Sequence, residues 1–311
     1  MVVPLTSHRQ LSGRRGGACR RLIAAGFGAL MLLTAACGSS DPASPTGGTG
    51  AEGQPRAIVS LSPTATEMLF AIGAGEQVVA VDDRSDHPAE APRTDLSGYT
   101  PNVEAVLGYD PELVVANADT GDLVAGLRRA GVETLILPAA RTLDDTYTQI
   151  EQLGAATGHI GDAAELVADM RTDIDQIVAT VPARAAPLRY YHELDDTYYT
   201  VTDDTYLGEI YAMLGLRSIA TGGDGYPQLS PEYILERNPD VIFLADGQCC
   251  GVTAETVARR AGWGELAAVR DGHVHVLDED IASRWGPRVV ELVREIATIA
   301  AAGTPAGRPT S

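Results

Sequence analysis

The sequence predicts an α/β protein of two similar lobes, each on a mostly parallel sheet, with one long helix between them. Three observations predict it. First, a unit recurs: EAVLGYDPELVVA, beginning at Glu104, returns 128 residues later as EYILERNPDVIFLA, beginning at Glu232. An acidic start, a leucine three residues on, an Asp/Asn-Pro-acid turn and an apolar run appear in both copies, and the spacing far exceeds the roughly 20 to 50 residues of a solenoid repeat. Second, strands and helices alternate along both halves, the pattern that gives parallel sheets. Third, residues 160–181 place apolar side chains at Ala164, Leu166, Val167, Met170, Ile174, Ile177 and Val178, an amphipathic helix with no strand soon after it.

The elements follow in order. AIVSLS, from Ala57, is an apolar strand that meets Ser62 as helix N-cap and Pro63 at the first helical position, and the helix closes at Gly73 and Gly75. VVAVD, LVVANA and TLILPA are further strands, with helices over 123–130 and 143–156 among them. Proline ends the helix of each repeated unit, because it pushes Asp110 and Asn238 before it out of the helical region. LVVA and VIFLA then read as strands buried on both faces. After the long helix the pattern restarts with LRYYHEL and TYYTVT, followed by helix 205–216, the second repeat, helix 253–261, VHVLD and a final helix over 287–302. The first lobe is expected over 57–158, the connecting helix over 159–182 and the second lobe over 183–304, with 305–311 an unstructured tail.

The chain has 311 residues, enough for two lobes with cores of their own. Its start reads otherwise. Residues 1–36 carry Arg9, Arg14, Arg15, Arg20 and Arg21, no acid, and then an apolar run over 22–36 too short to span a membrane comfortably, the build of an export signal. Arg20-Arg21 leaves the route open between general secretory and twin-arginine export. Residues 37–56, largely GSSDPASPTGGTGAEGQP, are too poor in apolar residues to fold and read as a flexible tether.

Every one of the 23 basic residues is arginine, and five of them lie in the leader, so 18 remain against 42 acidic residues, a formal charge near −24. That excess argues against nucleic acid and against electrostatic adhesion to anionic lipid. Beyond Cys19 and Cys37 the only cysteines are the adjacent Cys249 and Cys250, which form either a vicinal disulfide or two thiols; their spacing does not suit a zinc site.

Taken together, VSLSPTATEMLFAIGAG, VVAVDDRSDHPAEA, the paired repeats, the connecting helix and the closing SRWGPRVVEL resemble the solute-binding lipoproteins of ABC importers for vitamin B12 and ferric siderophores. The resemblance runs from about Ala57 to Ala302. It implies two Rossmann-like lobes joined by one rigid helix, with ligand in the cleft between them. LTAAC, ending at Cys37, resembles the lipobox of bacterial lipoproteins, with Thr34 where leucine is usual; this implies cleavage before Cys37, acylation of its side chain and anchoring on the outer face of the cytoplasmic membrane. In the family an acidic residue on each lobe docks onto arginines of the permease dimer, and Glu104 and Glu232 match those positions. Asn102 and Ser230, two residues earlier, are both good N-caps, which also gives each glutamate a local place in a first helical turn.

By the same match Tyr99 and Tyr226 stand where aromatic residues flank the ligand, and Asp280, Arg284 and Trp285 fall in the cleft-facing last segment. Where the vitamin-binding pattern has an aromatic on the second lobe's first strand, this chain offers YYHELDDTYY, bringing His192, Glu193, Asp195, Asp196 and Tyr198 as candidates. His192 and Glu193 are adjacent on a strand and point to opposite faces, so at most one faces the cleft. Carboxylates there would repel a strongly anionic catecholate chelate and tolerate a neutral or cationic one, a corrinoid or a ferric hydroxamate. Cys249 and Cys250 follow VIFLADG at the expected cleft edge. The metal is expected to arrive only inside the chelate, with no resident cofactor, and the protein to act as a monomer. A bare zinc or manganese carrier of a related importer is the alternative, with His87, His159, His192, His273 and His275 as its histidines. A thiol enzyme using Cys249 or Cys250 with His192 is a third class, without a recognisable catalytic signature; the expectation is a binding protein and not an enzyme.

Overall fold

A computed structural model describes residues 53–222 and 225–302. The leader, Cys37, most of the tether and the tail 305–311 lie outside the described residues. The first lobe comprises β1 (Ile58–Leu61), α1 (Pro63–Ala71), β2 (Val78–Asp82), β3 (Arg93–Leu96), α2 (Val103–Leu107), β4 (Leu113–Ala116), α3 (Leu123–Arg129), β5 (Glu133–Ile136) and α4 (Leu143–Thr157). Then comes α5 (Ile160–Thr180). The second lobe comprises β6 (Leu188–Glu193), α6 (Tyr206–Met213), β7 (Leu216–Ser218), α7 (Pro231–Arg237), β8 (Val241–Leu244), α8 (Gly247–Cys250), α9 (Ala254–Ala258), α10 (Ala267–Arg270), β9 (Val274–Val276), α11 (Glu279–Ser283) and α12 (Val289–Ala302).

Both sheets are parallel throughout, in the orders β3-β2-β1-β4-β5 and β7-β6-β8-β9. Strand order reverses between β1 and β4 in one and between β6 and β8 in the other, and a crevice opens at the carboxyl ends of strands at such a point. β1, β4 and β8 are buried at every position, since helices cover both faces. Alternation sorts their side chains. Val59 and Leu61 face a cluster with Val106, Leu123 and Leu127 of α2 and α3, while Ile58 faces Met68 and Leu69 of α1.

Local chemistry sets the helix ends. The Ser62 hydroxyl accepts from the Ala65 N–H, and Thr142 and Asp145 form a reciprocal capping box on α4. In the two repeats the residues before proline leave the helix in one way: Asp110 has φ 51° and Asn238 φ 45°, in the left-handed region that Asp and Asn tolerate best. The α5 helix buries Ala163, Val167, Met170 and Ile174 on one stripe against α4 and α12.

Three expectations change. The lobes do not have wholly separate cores: one apolar cluster runs from Ile58 and Met68 through Ile150, Met170 and Ile296 to Tyr190, Tyr211 and Phe243, so side chains of α4, α5 and α12 share it with those of both sheets. TYYTVT forms no strand; Tyr199 makes one antiparallel bridge with Gln228, and the N–H groups of Thr200 and Thr202 donate to the carbonyls of Pro227 and Gly225. At the other end, the Arg56 N–H donates to the Glu112 carboxylate at 2.7 Å, so the last residues of the expected tether lie along the first lobe. No helix among the described residues is long and apolar enough to cross a membrane.

Candidate functional site

A cavity of about 700 Å³ opens at the carboxyl ends of the first sheet's strands, closed on its far side by α11 and the turn after it. The start of α1 contributes Ser62 and Thr64, the segment after β2 contributes Asp83, Arg84 and Asp86, and β3 with its following turn contributes Arg93 and Tyr99. Asn117, after β4, completes the first-lobe wall, and Asp280, Ser283, Arg284 and Trp285 face it. Gly98 lets the chain turn here: a Cβ would come within 2.4 Å of the Leu61 carbonyl oxygen. Tyr99, beside it, is 76% exposed, an aromatic ring left uncovered at the cavity.

Arg284 organises the floor. Its Nη1 donates to Glu67 Oε1 at 2.9 Å, and its Nη2 donates to Asp86 Oδ1 at 2.9 Å, to Asp280 Oδ1 at 2.7 Å and to the Arg84 carbonyl at 3.3 Å. Glu67 is itself buried in α1 and also takes Arg288, from Nη2 at 2.5 Å and Nε at 3.0 Å. Buried charges persist when paired and hydrogen-bonded in this way. Burial pushes the Asp86 carboxyl up, but the Arg284 hydrogen bond and charge outweigh it and hold it below the ordinary carboxylate range. For Asp280 burial wins over the pull of Arg284, and its carboxyl is raised. Trp285 Nε1 donates to Gln149 Oε1 of α4 at 2.9 Å, a further bond between this segment and the first lobe.

The other expected residues lie off the second sheet and do not line this cavity. His192 is a correction: it is fully buried, its Nδ1 2.8 Å from the Tyr211 hydroxyl, and burial lowers its pKa to about 4. Strand parity did separate His192 from Glu193, but helices cover both faces of β6, so neither reaches open space. Glu193 holds Arg260 through both oxygens at 2.5 and 2.6 Å and accepts from the Tyr191 hydroxyl at 3.2 Å. Asp195 caps its own turn, accepting from the N–H and hydroxyl of Thr197 at 2.9 and 2.6 Å. Tyr198, at φ 68°, leans on Trp263 with ring centroids 5.9 Å apart and lies under the Arg260 guanidinium. Tyr226 is half-exposed.

Cys249 and Cys250 are joined as a vicinal disulfide in α8. The Glu279 carboxylate accepts from the N–H groups of Gln248 and, at 2.8 Å, Cys249, which ties the disulfide turn to the helix that carries Asp280. Asp246, just before that turn, is buried with no hydrogen-bond partner for either carboxylate oxygen. Burial, then the charge of Glu193 beside it, pushes its pKa up to about 7.

Glu104 and Glu232 are exposed in the first turns of α2 and α7. Asn102 accepts from the Glu104 and Ala105 N–H groups at 3.0 and 3.2 Å, and Ser230 from that of Tyr233 at 3.2 Å, as the sequence predicts. Among the described residues no three His, Cys, Asp or Glu side chains are grouped to hold a metal ion. Sequence reasoning missed Glu67, Asp83, Arg84, Asp86, Arg93 and Asn117; the signal was the place of Asp83, Arg84, Asp86 and Asn117 just after strand ends, and for Glu67 an acid inside an apolar helix, while Arg93 opens β3 and carried none.

Comparison with known proteins bears on this geometry. The periplasmic binding protein family matches residues 58–281. An uncharacterised ABC transporter substrate-binding lipoprotein of Bacillus subtilis (strain 168) is 32% identical over 253 residues, covering 78% of this chain and 79% of that protein. A cobalamin-binding protein of Halobacterium salinarum (strain ATCC 29341 / DSM 671 / R1) is 31% identical over 258 residues, covering 79% of this chain and 69% of its own. The crystal structure of a periplasmic vitamin B12 binding protein of Vibrio cholerae superposes with a TM-score of 0.68 at 27% identity, covering 81% of this chain and 98% of that one.

Proposed function

The chain belongs to the periplasmic binding protein family and is the substrate-binding component of an ABC importer, and from that premise we propose that its cargo is a metal chelate of the corrinoid class. The observation that carries this is Tyr99, uncovered at the mouth of a polar cavity, with Tyr226 half-exposed on the other lobe. A large ring left in water forgoes its burial energy unless a ligand covers it, and flat aromatic faces give a flat chelate contact area at low entropy cost. Relatives named for cobalamin and vitamin B12 support the same class. The metal arrives inside the chelate, and the protein carries it unchanged.

In this reading Asp280, Arg284 and Trp285 contact the cargo from the α11 side, and Tyr198, Asp195 and the Cys249–Cys250 turn border it from the second lobe. Acylated Cys37 would hold the protein at the outer membrane face as a monomer, and Glu104 and Glu232 would meet arginines of the permease dimer. Calorimetric titration with cyanocobalamin and with a ferric hydroxamate tests the cargo. Binding of the corrinoid that weakens in Tyr99→Ala and Tyr226→Ala is expected; binding of the hydroxamate alone would overturn the corrinoid assignment. Cys37→Ser should release the protein from membranes, since stable attachment takes two acyl chains and the variant offers none.

A further inference from the structure

The first-lobe wall of the cavity carries two arginines that the protein leaves unused. Arg84, after β2, and Arg93, at the start of β3, are exposed lining residues, and among the described residues neither guanidinium makes a hydrogen bond or ion pair. The contrast is Arg284 in the same cavity, whose two terminal nitrogens are taken up by Glu67, Asp86, Asp280 and the Arg84 carbonyl. Asp86 and Asp280 are thereby committed to Arg284. Of the lining carboxylates only Asp83 is left without a partner among the described residues. The amino end of α1, with Ser62 and Thr64 in the lining, adds its positive dipole end to this wall. Two free cations and a helix start thus face one free carboxylate, in a chain whose formal charge is −19.

We propose that Arg84 and Arg93 form an anion subsite, and that the cargo presents an anionic oxyacid group, phosphodiester or carboxylate, on the edge facing the first lobe. A planar guanidinium offers paired N–H donors that match such a group, and a site partly shielded from water strengthens the contact. This rests on the chelate reading above and refines it. The acids of the second lobe's YYHELDDTYY segment do not oppose it: Glu193 is spent on Arg260 and Asp195 on its own turn.

Three chelates separate the possibilities. Cobalamin carries a phosphodiester in its nucleotide loop, cobinamide is the same corrin ring without that loop, and hemin carries two carboxylates on a different ring. Affinities are measured for the natural protein, Arg84→Gln/Arg93→Gln and Arg84→Lys/Arg93→Lys, with melting curves confirming that each is folded. The natural protein should bind cobalamin at least about tenfold more tightly than cobinamide, as expected for a charge-assisted hydrogen-bond pair. The glutamine variant should erase that gap by weakening cobalamin alone, the lysine variant should keep part of it, and added salt should narrow it. Binding of hemin but neither corrinoid, weakened by the glutamine change, would keep the anion subsite and overturn the corrinoid reading. Equal affinity for both corrinoids, an equal loss of both in the glutamine variant, or no binding of any of the three, would overturn the subsite.

Discussion

Asp246 shows how one residue can make stability depend on pH. Burial and the neighbouring Glu193 carboxylate raise its pKa from 3.8 to about 7, so between those values the unfolded chain has released the proton and the folded chain has kept it. Stability from that proton is full below the lower value and lost as pH rises through the upper one. The charged groups facing Asp246 are Glu193 and Arg260, with the Tyr191 hydroxyl beside them. Asp246→Asn keeps the shape, cannot ionise and can donate to Glu193. Its melting temperature should match the natural protein's near pH 5 and exceed it at pH 8, by on the order of 1 to 2 kcal/mol in stability. Parallel melting curves across that range would mean that the pocket admits enough water to leave the carboxyl unperturbed. Asn238 makes a second prediction at this scale. It takes a left-handed conformation and its Oδ1 accepts from the Ala267 N–H at 2.8 Å, so Asn238→Ala should cost about 1 to 3 kcal/mol in denaturant unfolding.

The repeated helix-turn-strand unit is the element at which fold and partner meet. If Glu104 and Glu232 serve the permease, Glu104→Ala/Glu232→Ala should bind cargo normally and fail in uptake, at a stability loss of roughly 0.3 to 1 kcal/mol per site from the helix dipole. Normal uptake by Glu104→Lys/Glu232→Lys would reduce the repeat to a record of fold ancestry. The elements themselves were largely legible in the sequence. Strand and helix alternation gave both parallel sheets, and Ser62, Asn102 and Ser230 marked helix starts because capping is a local, two- or three-residue bond. TYYTVT misleads because β-branched and aromatic residues score as strand, while here the chain makes one bridge and two backbone hydrogen bonds to residues 225–228. The site was only half legible. Tyr99, Asp280, Arg284 and Trp285 fall on one cavity, but His192 does not, since alternation along a strand gives the face and says nothing of the helix that covers it. For Glu67 the sequence shows an acid inside an apolar helix but not its partners, since Arg284 and Arg288 lie more than 200 residues away in the chain.

At the scale of the whole molecule the shared core and the Glu67 cluster join what the sequence presents as two lobes. Glu67→Ala would leave Arg288 without its carboxylate and Arg284 with Asp86, Asp280 and the Arg84 carbonyl, and should cost about 3 kcal/mol or more, as expected when one partner of a buried ion pair is removed. Because one apolar cluster runs through both sheets, the variant should still melt in a single calorimetric transition at a lower temperature; two separated transitions would show that the lobes unfold independently. The bond from Trp285 to Gln149 has a consequence of another kind. The sequence holds two tryptophans, and Trp263 is closed off behind the second sheet while Trp285 is fixed in the cavity wall. A chelate that absorbs near the indole emission band is an energy acceptor placed against a donor of fixed orientation. Trp263→Phe would therefore leave a protein whose remaining fluorescence dims as the cleft fills and brightens as the permease empties it, an unlabelled optical record of each handover.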